Sequence, residues 1–151
     1  MRAVVQRVSR ASVQVGDRRV AQIGPGLCVL VGVSTHDGPR DARTMAEKLS
    51  GLRVLADAQG KMNLSLLESD GSMLVVSQFT LYADVHRGRR PGFAHAAPPG
   101  LAEPLLNEMV DQLRERGLDV VTGEFGAHME LDLVNDGPLT LVIETVDGRF
   151  V

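Results

Sequence analysis

Apolar and polar residues alternate, or apolar residues run together, over most of the first third of the chain. The alternation in residues 4–8 predicts a strand with one buried face, and residues 18–23 predict another. The Gly-Pro-Gly of residues 24–26 follows, and we interpret it as a hairpin turn. Residues 27–33 are almost continuously apolar, which is typical of a strand covered on both faces. This part of the chain therefore predicts a sheet of consecutive strands.

Two later segments carry apolar residues at helical spacing. In residues 39–50 they recur at i, i+3, i+4 and i+7, with Asp37 as the candidate cap and Gly51 as the end of the helix. The second helix is predicted to begin near Pro104, a residue suited to a first turn, and to end at Gly117. Each helix has one apolar face, so we expect both to pack on the sheet.

The rest of the chain predicts further strands. One runs through residues 72–81, and three follow the second helix near residues 120–121, 129–134 and 139–146. Residues 135–138 separate the last two strands and have the composition of a hairpin turn. The sum is a mixed α+β fold, with a mostly antiparallel, barrel-like sheet and two helices packed on it.

Length and composition narrow the class of protein. The chain has 151 residues, 44% of them apolar, which predicts a single domain over residues 1–151. No apolar run approaches the ~20 residues of a membrane span, and arginines interrupt the first apolar runs, so we expect a cytoplasmic protein without a signal peptide. The single cysteine, Cys28, lies within an apolar run and is predicted to be a buried hydrophobe.

Charge is unevenly distributed along the chain. Residues 1–90 carry 13 Arg and Lys against 8 Asp and Glu, whereas residues 91–151 carry 3 against 11. This asymmetry predicts a polyanionic partner for the basic part, or a basic face that meets an acidic face in an oligomer. Arg87, Arg89 and Arg90 form the densest basic segment, and arginine forks suit phosphate oxygens. Five aromatic residues and no Trp make the chain a poor candidate for a reader that stacks single-stranded bases.

Hydroxyl groups lie where the apolar pattern of the strand at residues 72–81 breaks. Ser77 and Thr80 stand at its end, and strand ends that face loops are where catalytic groups gather. One interpretation is a Ser/Thr hydrolase that cleaves an ester, in which these hydroxyls act with His86 and Asp84. An ordinary polar strand end explains the same residues.

The histidines do not indicate a metal site. His36, His86, His95 and His128 are scattered, without an i, i+4 pair or a cysteine partner. We therefore expect neither a metal nor a cofactor.

Two short motifs stand in the polar segments of the chain. Ser-Gln-Phe-Thr-Leu occupies residues 77–81, and Asn-x-Gly-Pro-Leu-Thr occupies residues 135–140. In this order and at this separation they resemble the two signatures of the D-aminoacyl-tRNA deacylase family, also described as D-tyrosyl-tRNA(Tyr) deacylases. Leu139 departs from the valine that is commoner in the family, a conservative change. Weaker matches, which extend the resemblance over nearly the whole chain, are residues 7–13, 26–27 and 90–93.

The resemblance implies the deacylase fold and hydrolysis of the ester bond between tRNA and a wrongly attached D-amino acid. It implies a homodimer in which the Gly137–Pro138 peptide is cis and projects into the active site of the other subunit. The carbonyls of this dipeptide would exclude an L side chain by steric contact. Glycine has no side chain, so mischarged glycyl-tRNA is implied as a further substrate. Arg7 and Asn135 are implied as supports of the dipeptide.

The resemblance also implies roles for the first motif. The backbone around Ser77, Gln78 and Phe79 would receive the terminal adenosine and the reacting carbonyl, with Thr80 beside them. A threonine needs an adjacent base to act as a nucleophile, and no base is evident beside it in the sequence. The role of Thr80 therefore stays open between nucleophile, binding residue and dispensable neighbour.

The implied partner is the 3′ end of an aminoacyl-tRNA. Arg87, Arg89 and Arg90 are the candidates for contact with its phosphates, and we expect no DNA and no membrane partner. A non-catalytic RNA-binding module that works through the same arginines is the alternative outside the enzymes.

Overall fold

The structure is a computed structural model that describes residues 1–86 and 88–151. Within these residues the chain forms two α-helices and nine β-strands. The helices are α1 (Pro39–Gly51) and α2 (Pro99–Glu115). The strands are β1 (Arg2–Val15), β2 (Arg18–Ile23), β3 (Gly26–Gly32), β4 (Leu55–Ala56), β5 (Met62–Leu64), β6 (Ser72–Ser77), β7 (Val120–Thr122), β8 (Glu130–Val146) and β9 (Arg149–Phe150).

In the described residues, most strands form a large sheet in the order β7-β6-β3-β1-β8-β9, with β2 also paired to β1. β4 and β5 form a separate two-stranded hairpin. β1 is antiparallel to β2, β3 and β8, whereas β6 is parallel to both β3 and β7. The parallel pairs arise because α1 lies in the crossover from β3 to β6, and α2 lies in the crossover from β6 to β7. The predicted fold class, mixed α+β with a mostly antiparallel sheet and two helices, is confirmed.

The sheet buries apolar side chains on both of its faces. On one face, α1 and α2 cover a core that includes Val5, Val29, Met45 and Met109. On the other face, a smaller core gathers residues of β1, β2, β3 and β6, among them Cys28. Burial on both sides accounts for the continuous apolar run of β3. Cys28 is fully buried, as predicted, and burial raises the pKa of its thiol to about 11.

The Gly-Pro-Gly of residues 24–26 is not a hairpin turn, so that prediction is wrong. β3 pairs with residues 2–8 of β1, and β2 pairs with residues 11–15 of β1. β8 occupies the other edge of β1, so β2 and β3 share one edge and run end to end along it. Residues 24–26 are the break between them, because a strand of 14 residues is long enough to pair with both.

Asp37 does not cap α1, in contrast to the prediction. The helix begins at Pro39, and the residue before it is Gly38. The carboxylate of Asp37 accepts a hydrogen bond from the backbone N–H of Ser34 at 2.7 Å and one from the α-ammonium group of Met1 at 2.5 Å. Asp37 therefore holds the segment before α1 and the residue before β1 in place, and it does not bind the first turn of α1.

α2 begins at Pro99, five residues before its predicted start, and Pro104 lies inside the helix. Pro99 takes the first-turn position that the prediction gave to Pro104. Pro104 removes one backbone N–H from α2, while Leu105, Leu106 and Met109 bury the adjacent face in the core. Packing of this face outweighs the lost hydrogen bond. No helix in the described part of the chain is both long enough and apolar enough to cross a membrane.

Candidate functional site

The first motif begins where β6 ends. β6 stops at Ser77, and Phe79–Tyr82 form a short 3₁₀ turn instead of the strand to residue 81 that the sequence predicts. The backbone N–H of Gln78 makes the last bond to the sheet, donating to the carbonyl of Val31 at 2.8 Å. Beyond this bond the chain folds across the end of β3, which explains why the strand stops early.

The 3₁₀ turn presents several groups of the motif at its start. The side-chain amide of Gln78 donates to the hydroxyl of Thr80. The ring of Phe79 is 56% exposed and meets the ring of Phe93 edge to face, with 5.0 Å between their centroids. The backbone N–H groups of Phe79 and Thr80 pair with no acceptor within residues 1–86 and 88–151. This strand end therefore offers two unpaired backbone donors beside an exposed aromatic ring.

A cleft of about 550 Å³ lies beside this strand end. Ser77, Gln78 and Phe79 line it, together with mainly apolar residues of β3, α2 and the segment 125–131. Thr80 stands next to the cleft but does not line it. A concave, mostly apolar cavity of this size with a few polar groups is typical of a site for a small organic group.

One wall of the cleft could not be predicted from the sequence. Phe125, His128 and Met129 line it, and they lie between β7 and β8 in a segment without a recognisable motif. The fold brings them to the first motif. The sequence offers one indication of this wall, the scarcity of its aromatic residues. Phe79, Phe93 and Phe125 are three of the four phenylalanines, and all three line the cleft.

The second motif forms a bulge in a continuous strand, so the predicted hairpin turn at residues 135–138 is wrong. β8 runs from Glu130 to Val146, and both of its halves pair with β1. Val8 lies opposite Asn135 and Gln6 lies opposite Thr140, so a short stretch of β1 faces a longer stretch of β8. The extra residues of β8 are looped out as a wide bulge, which β1 permits because it spans both halves.

The side chain of Asn135 closes this bulge. Its Nδ2 donates to Oε1 of Gln6 at 3.1 Å, to the carbonyl of Leu139 at 3.0 Å and to the hydroxyl of Thr140 at 3.1 Å. Its Oδ1 accepts a hydrogen bond from the backbone N–H of Leu139 at 2.8 Å. One amide group thus replaces the ladder bonds that the bulge interrupts.

Replacing Asn135 by Ala should lower the free energy of unfolding by about 1–3 kcal/mol, because all hydrogen-bond partners of the amide group lose their contact with it at once. Urea unfolding followed by circular dichroism measures this change. Asn107→Ala, at an exposed position of α2, is the matched control and should change the free energy by less than about 0.5 kcal/mol. Equal stability of the two variants would show that the bulge does not depend on Asn135.

Gly137 and Pro138 are exposed in the bulge, and the peptide bond between them is cis. Arg7 contacts the bulge from β1: its Nε donates to the carbonyl of Asp136 at 2.9 Å, and its Nη1 donates to the carbonyl of Val54 at 2.7 Å. Gly137 has a φ of +143°, and a Cβ atom there would lie 2.8 Å from Nη2 of Arg7. The backbone nitrogen of Leu139 would lie 2.9 Å from the same Cβ atom, so the backbone conformation and this close backbone contact both require glycine at this position.

The structure gathers the predicted site residues in two places. Ser77, Gln78, Phe79 and Thr80 stand at the cleft, and Arg7, Asn135, Gly137 and Pro138 form or support the bulge. In the described part of the chain, no residue of the bulge lines the cleft. Within one chain, the two motifs do not share a pocket.

The described histidines form neither a catalytic relay nor a metal-binding group. Nδ1 of His86 lies 2.8 Å from Oδ1 of Asp84, and both side chains are exposed. Hydrogen bonds from the backbone N–H and then from the side chain of His86 lower the pKa of Asp84. In residues 1–86 and 88–151, no hydrogen bond joins His86 to the hydroxyl of Ser77 or Thr80. The described His, Cys, Asp and Glu side chains also contain no group of three that could hold a metal ion.

The described residues between Asp84 and Phe93 form a loop that leads into the cleft wall. Asp84 and Gly92 pair through two backbone hydrogen bonds, both 2.8 Å long, and close the base of this loop. Arg89 and Arg90 are exposed within it. Arg87, the third predicted contact, lies outside the described residues. Arg89 and Arg90 are therefore exposed on the loop that leads to Phe93 in the cleft wall.

Comparisons with known proteins agree over almost the full chain. A family model described as D-Tyr-tRNA(Tyr) deacylase matches residues 4–144. A protein named D-aminoacyl-tRNA deacylase from Symbiobacterium thermophilum is 59% identical over 145 residues, which cover 96% of each chain. A protein of the same name from Roseiflexus sp. is 54% identical over 149 residues, covering 99% of this chain and 96% of its own. A solved structure named c-Myc DNA Unwinding Element Binding Protein is 42% identical, with a TM-score of 0.89, over 96% of this chain and 99% of its own.

Proposed function

Because the chain belongs to the D-Tyr-tRNA(Tyr) deacylase family and is a hydrolase of that kind, we propose how it selects and cleaves its substrate. The enzyme hydrolyses the ester at the 3′ end of D-aminoacyl-tRNA and releases the D-amino acid. It works in the cytoplasm as a homodimer, and Gly137–Pro138 of one subunit acts in the cleft of the other. The same site cleaves mischarged glycyl-tRNA.

The position of the bulge carries this proposal. Arg7 and Asn135 fix the bulge through hydrogen bonds on two sides, although Gly137 and Pro138 themselves are exposed and do not line the cleft of their own chain. An exposed segment that is held in a fixed position is suited to contact with a second molecule. In a dimer with twofold symmetry the exchange is reciprocal, so each subunit gives one bulge and receives one.

The strand that carries the bulge supports the same arrangement. β8 pairs with β9 only at Thr145 and Val146, so the described chain leaves most of its outer edge unpaired. Val134, Val142 and Val146 on β8 are 41%, 67% and 48% exposed. Exposed apolar side chains in a row beside an open strand edge are suited to contact with another subunit.

Steric exclusion accounts for the chirality. The L and D forms of an aminoacyl ester differ in which side of Cα carries the side chain. We assign the carbonyls of Gly137 and Pro138 to the side on which an L side chain would project, so an L substrate is rejected by overlap. Glycine has hydrogen on both sides and passes this filter. Glycyl-tRNA should therefore be cleaved by the same cleft that leaves L-alanyl-tRNA intact.

The chemistry requires a water, a proton acceptor and donors for the oxyanion. We assign the oxyanion to the unpaired N–H groups of Phe79 and Thr80, and the terminal adenosine to the surface formed by Ser77, Gln78 and the ring of Phe79. The hydroxyl of Thr80 accepts from Gln78 and forms no hydrogen bond to a base in residues 1–86 and 88–151, which argues against a nucleophilic role. We assign the proton transfer to the neighbouring ribose hydroxyl of the tRNA.

Subunit complementation tests the shared site. A Gly137→Ala subunit with an intact cleft is paired with a Phe79→Pro subunit that has an intact bulge, and the mixed dimer is isolated through two different affinity tags. If the site is shared, one of the two clefts meets an intact bulge, and the mixed dimer regains about half of the wild-type turnover. A mixed dimer as inactive as its parents would place the filter within one chain.

Replacing His86 by Ala should leave kcat/KM for D-Tyr-tRNA within about twofold of the wild-type value, because the proposed chemistry does not use this imidazole. Steady-state release of D-tyrosine measures it, and His36→Ala serves as a control for histidine loss elsewhere on the surface. A Ser/Thr-His hydrolase would instead lose at least about 10³-fold in kcat. A loss of that size would favour the relay with Asp84.

Replacing both Arg89 and Arg90 by Gln should raise KM for D-Tyr-tRNA about tenfold and flatten its dependence on salt, while kcat stays unchanged. The measurement is KM across a series of salt concentrations, with the Arg114→Gln/Arg116→Gln double variant as the matched loss of two charges at the end of α2. An unchanged salt slope would exclude phosphate contact by this loop.

Competition experiments extend this test to other partners. The name of one solved relative attributes DNA binding to that protein, so duplex DNA is a suitable competitor beside deacylated tRNA. We expect deacylated tRNA to compete with the substrate and duplex DNA of equal charge to compete weakly. A non-catalytic binding module would bind many RNAs in a salt-sensitive manner and release no amino acid.

A further inference from the structure

Three residues on adjacent strands lie side by side beneath the first motif. Arg2 on β1 is in register with Gly32 on β3 and with Glu144 on β8. The 3₁₀ turn Phe79–Tyr82 packs across Gly32: a Cβ atom on this glycine would lie only 3.0 Å from Cβ of Leu81 and 3.2 Å from the ring of Tyr82. The turn therefore rests directly on the sheet at a position that has no side chain.

Arg2 reaches from its strand to the far end of the turn. Its Nη1 donates to the carbonyl of Leu81 at 2.7 Å, and its Cζ lies 4.9 Å from the ring centroid of Tyr82. The carbonyls at the C-terminal end of a helical turn lack partners within the turn, and an arginine is suited to satisfy one. Arg2 thus makes a polar contact and a cation–π contact with the same turn.

Glu144 holds the other side of the same guanidinium group. Its carboxylate accepts from Nε of Arg2 at 3.1 Å and from Nη2 at 2.9 Å, in a bidentate arrangement. Such a pair fixes the plane of the guanidinium group as well as its position. The far end of the turn is therefore tied through Arg2 to both β1 and β8.

Tyr82 does not act as a base in this arrangement. Burial raises the pKa of its phenol far above the usual value, and the nearby carboxylates of Asp37 and Glu144 raise it further. The phenol is therefore neutral at physiological pH. Its contribution is the ring face on which the guanidinium of Arg2 lies.

We propose that Arg2 is a positioning residue for deacylation, which fixes the far end of the 3₁₀ turn so that the N–H groups of Phe79 and Thr80 stay aimed at the oxyanion. This inference rests on the proposed function, because it needs those N–H groups as donors. Arg2 does not line the cleft and acts only through the turn. A four-residue turn has few hydrogen bonds of its own, and a misplacement of about 1 Å in a reacting group lowers a rate by up to about 10²-fold.

The test compares Arg2→Met with Arg114→Met in the full-length dimer. Arg114 is a matched arginine on α2: its Nη2 donates to the carbonyl of Val120 at 3.0 Å, and its Nη1 lies 3.7 Å from Oδ1 of Asp111. Single-turnover and steady-state release of D-tyrosine from D-Tyr-tRNA give kcat and KM, and thermal unfolding gives the stability of each variant. Arg2→Met should lower kcat about tenfold with KM within about threefold, whereas Arg114→Met should leave kcat unchanged.

Two further variants make the result specific. Arg2→Lys keeps a donor for the carbonyl of Leu81 but loses the bidentate pair, so it should recover part of the rate. Glu144→Gln should give an intermediate loss, and it serves as the second variant if Arg2→Met fails to fold. An unchanged kcat in the folded Arg2 or Glu144 variants overturns the inference and leaves the deacylase intact. A wild-type enzyme that does not release D-tyrosine overturns the proposed function and this inference together.

Discussion

Replacing Gly137 by Ala should lower kcat/KM for D-Tyr-tRNA by about 100-fold or more. The added Cβ would lie 2.8 Å from Nη2 of Arg7 and 2.9 Å from the backbone nitrogen of Leu139, at a φ of +143° that only glycine adopts readily. The bulge must therefore shift, and in the proposed dimer a dipeptide that sits between the D-amino acid and the cleft wall has no room to shift. Steady-state release of D-tyrosine measures the loss.

The same variant should also lose discrimination, because in the proposed mechanism the carbonyls of Gly137 and Pro138 block the side of Cα that carries an L side chain, and the shift displaces them. We expect the ratio of D-Tyr-tRNA to L-Tyr-tRNA cleavage to fall together with the D rate. Gly51→Ala is the matched control, since a Cβ at Gly51 meets nothing within 4 Å, and it should keep the wild-type rate and ratio. Wild-type selectivity in Gly137→Ala would show that the bulge does not select between D- and L-amino acids.

Replacing Phe79 by Pro should lower kcat for D-Tyr-tRNA by about 10²–10³-fold beyond the effect of Phe79→Ala. Both variants lose the ring, but only proline also removes the backbone N–H that we assign to the oxyanion. Position 79 is the first residue of the 3₁₀ turn, where proline fits, and Gln78 before it, with φ −145° and ψ 81°, lies outside the α region that a following proline disfavours. The comparison therefore isolates one backbone donor.

Thr80→Val completes this comparison at the next residue. It removes the hydroxyl and keeps the N–H, so kcat should stay within about tenfold of the wild-type value. Single-turnover kinetics of the three variants separate binding from chemistry, because loss of the Phe79 ring acts mainly on KM. Equal kcat for Phe79→Pro and Phe79→Ala would exclude the N–H of residue 79 as an oxyanion donor. A large loss of kcat in Thr80→Val would indicate that the hydroxyl of Thr80 acts as the nucleophile.

The parts of the fold set by local pattern could be predicted from the sequence. The apolar face of α1 and the doubly covered strand β3 follow from spacing that involves only neighbouring residues. Two predicted hairpin turns were wrong for one reason: residues 24–26 and 135–138 have turn composition, but β1 is long enough to hold the chain extended on both sides of each segment. Tertiary pairing overrode local turn chemistry at these positions.

The site was predictable only where it has a sequence motif. The residues of the two motifs stand at the cleft and at the bulge, but the cleft wall of Phe125, His128 and Met129 has no local signal. The pairing of Arg2 with Glu144 also depends on the register of β1 and β8, which no periodicity reveals. Contacts between residues more than 100 positions apart can be identified only once the fold is known.

The direct test of the account is release of the amino acid from D-Tyr-tRNA and from L-Tyr-tRNA by the purified enzyme, each measured against spontaneous hydrolysis in buffer. The account predicts rapid release from the D ester and release from the L ester at the rate of buffer alone. Release from both would contradict exclusion by the Gly137–Pro138 bulge, and release from neither would contradict the deacylase itself.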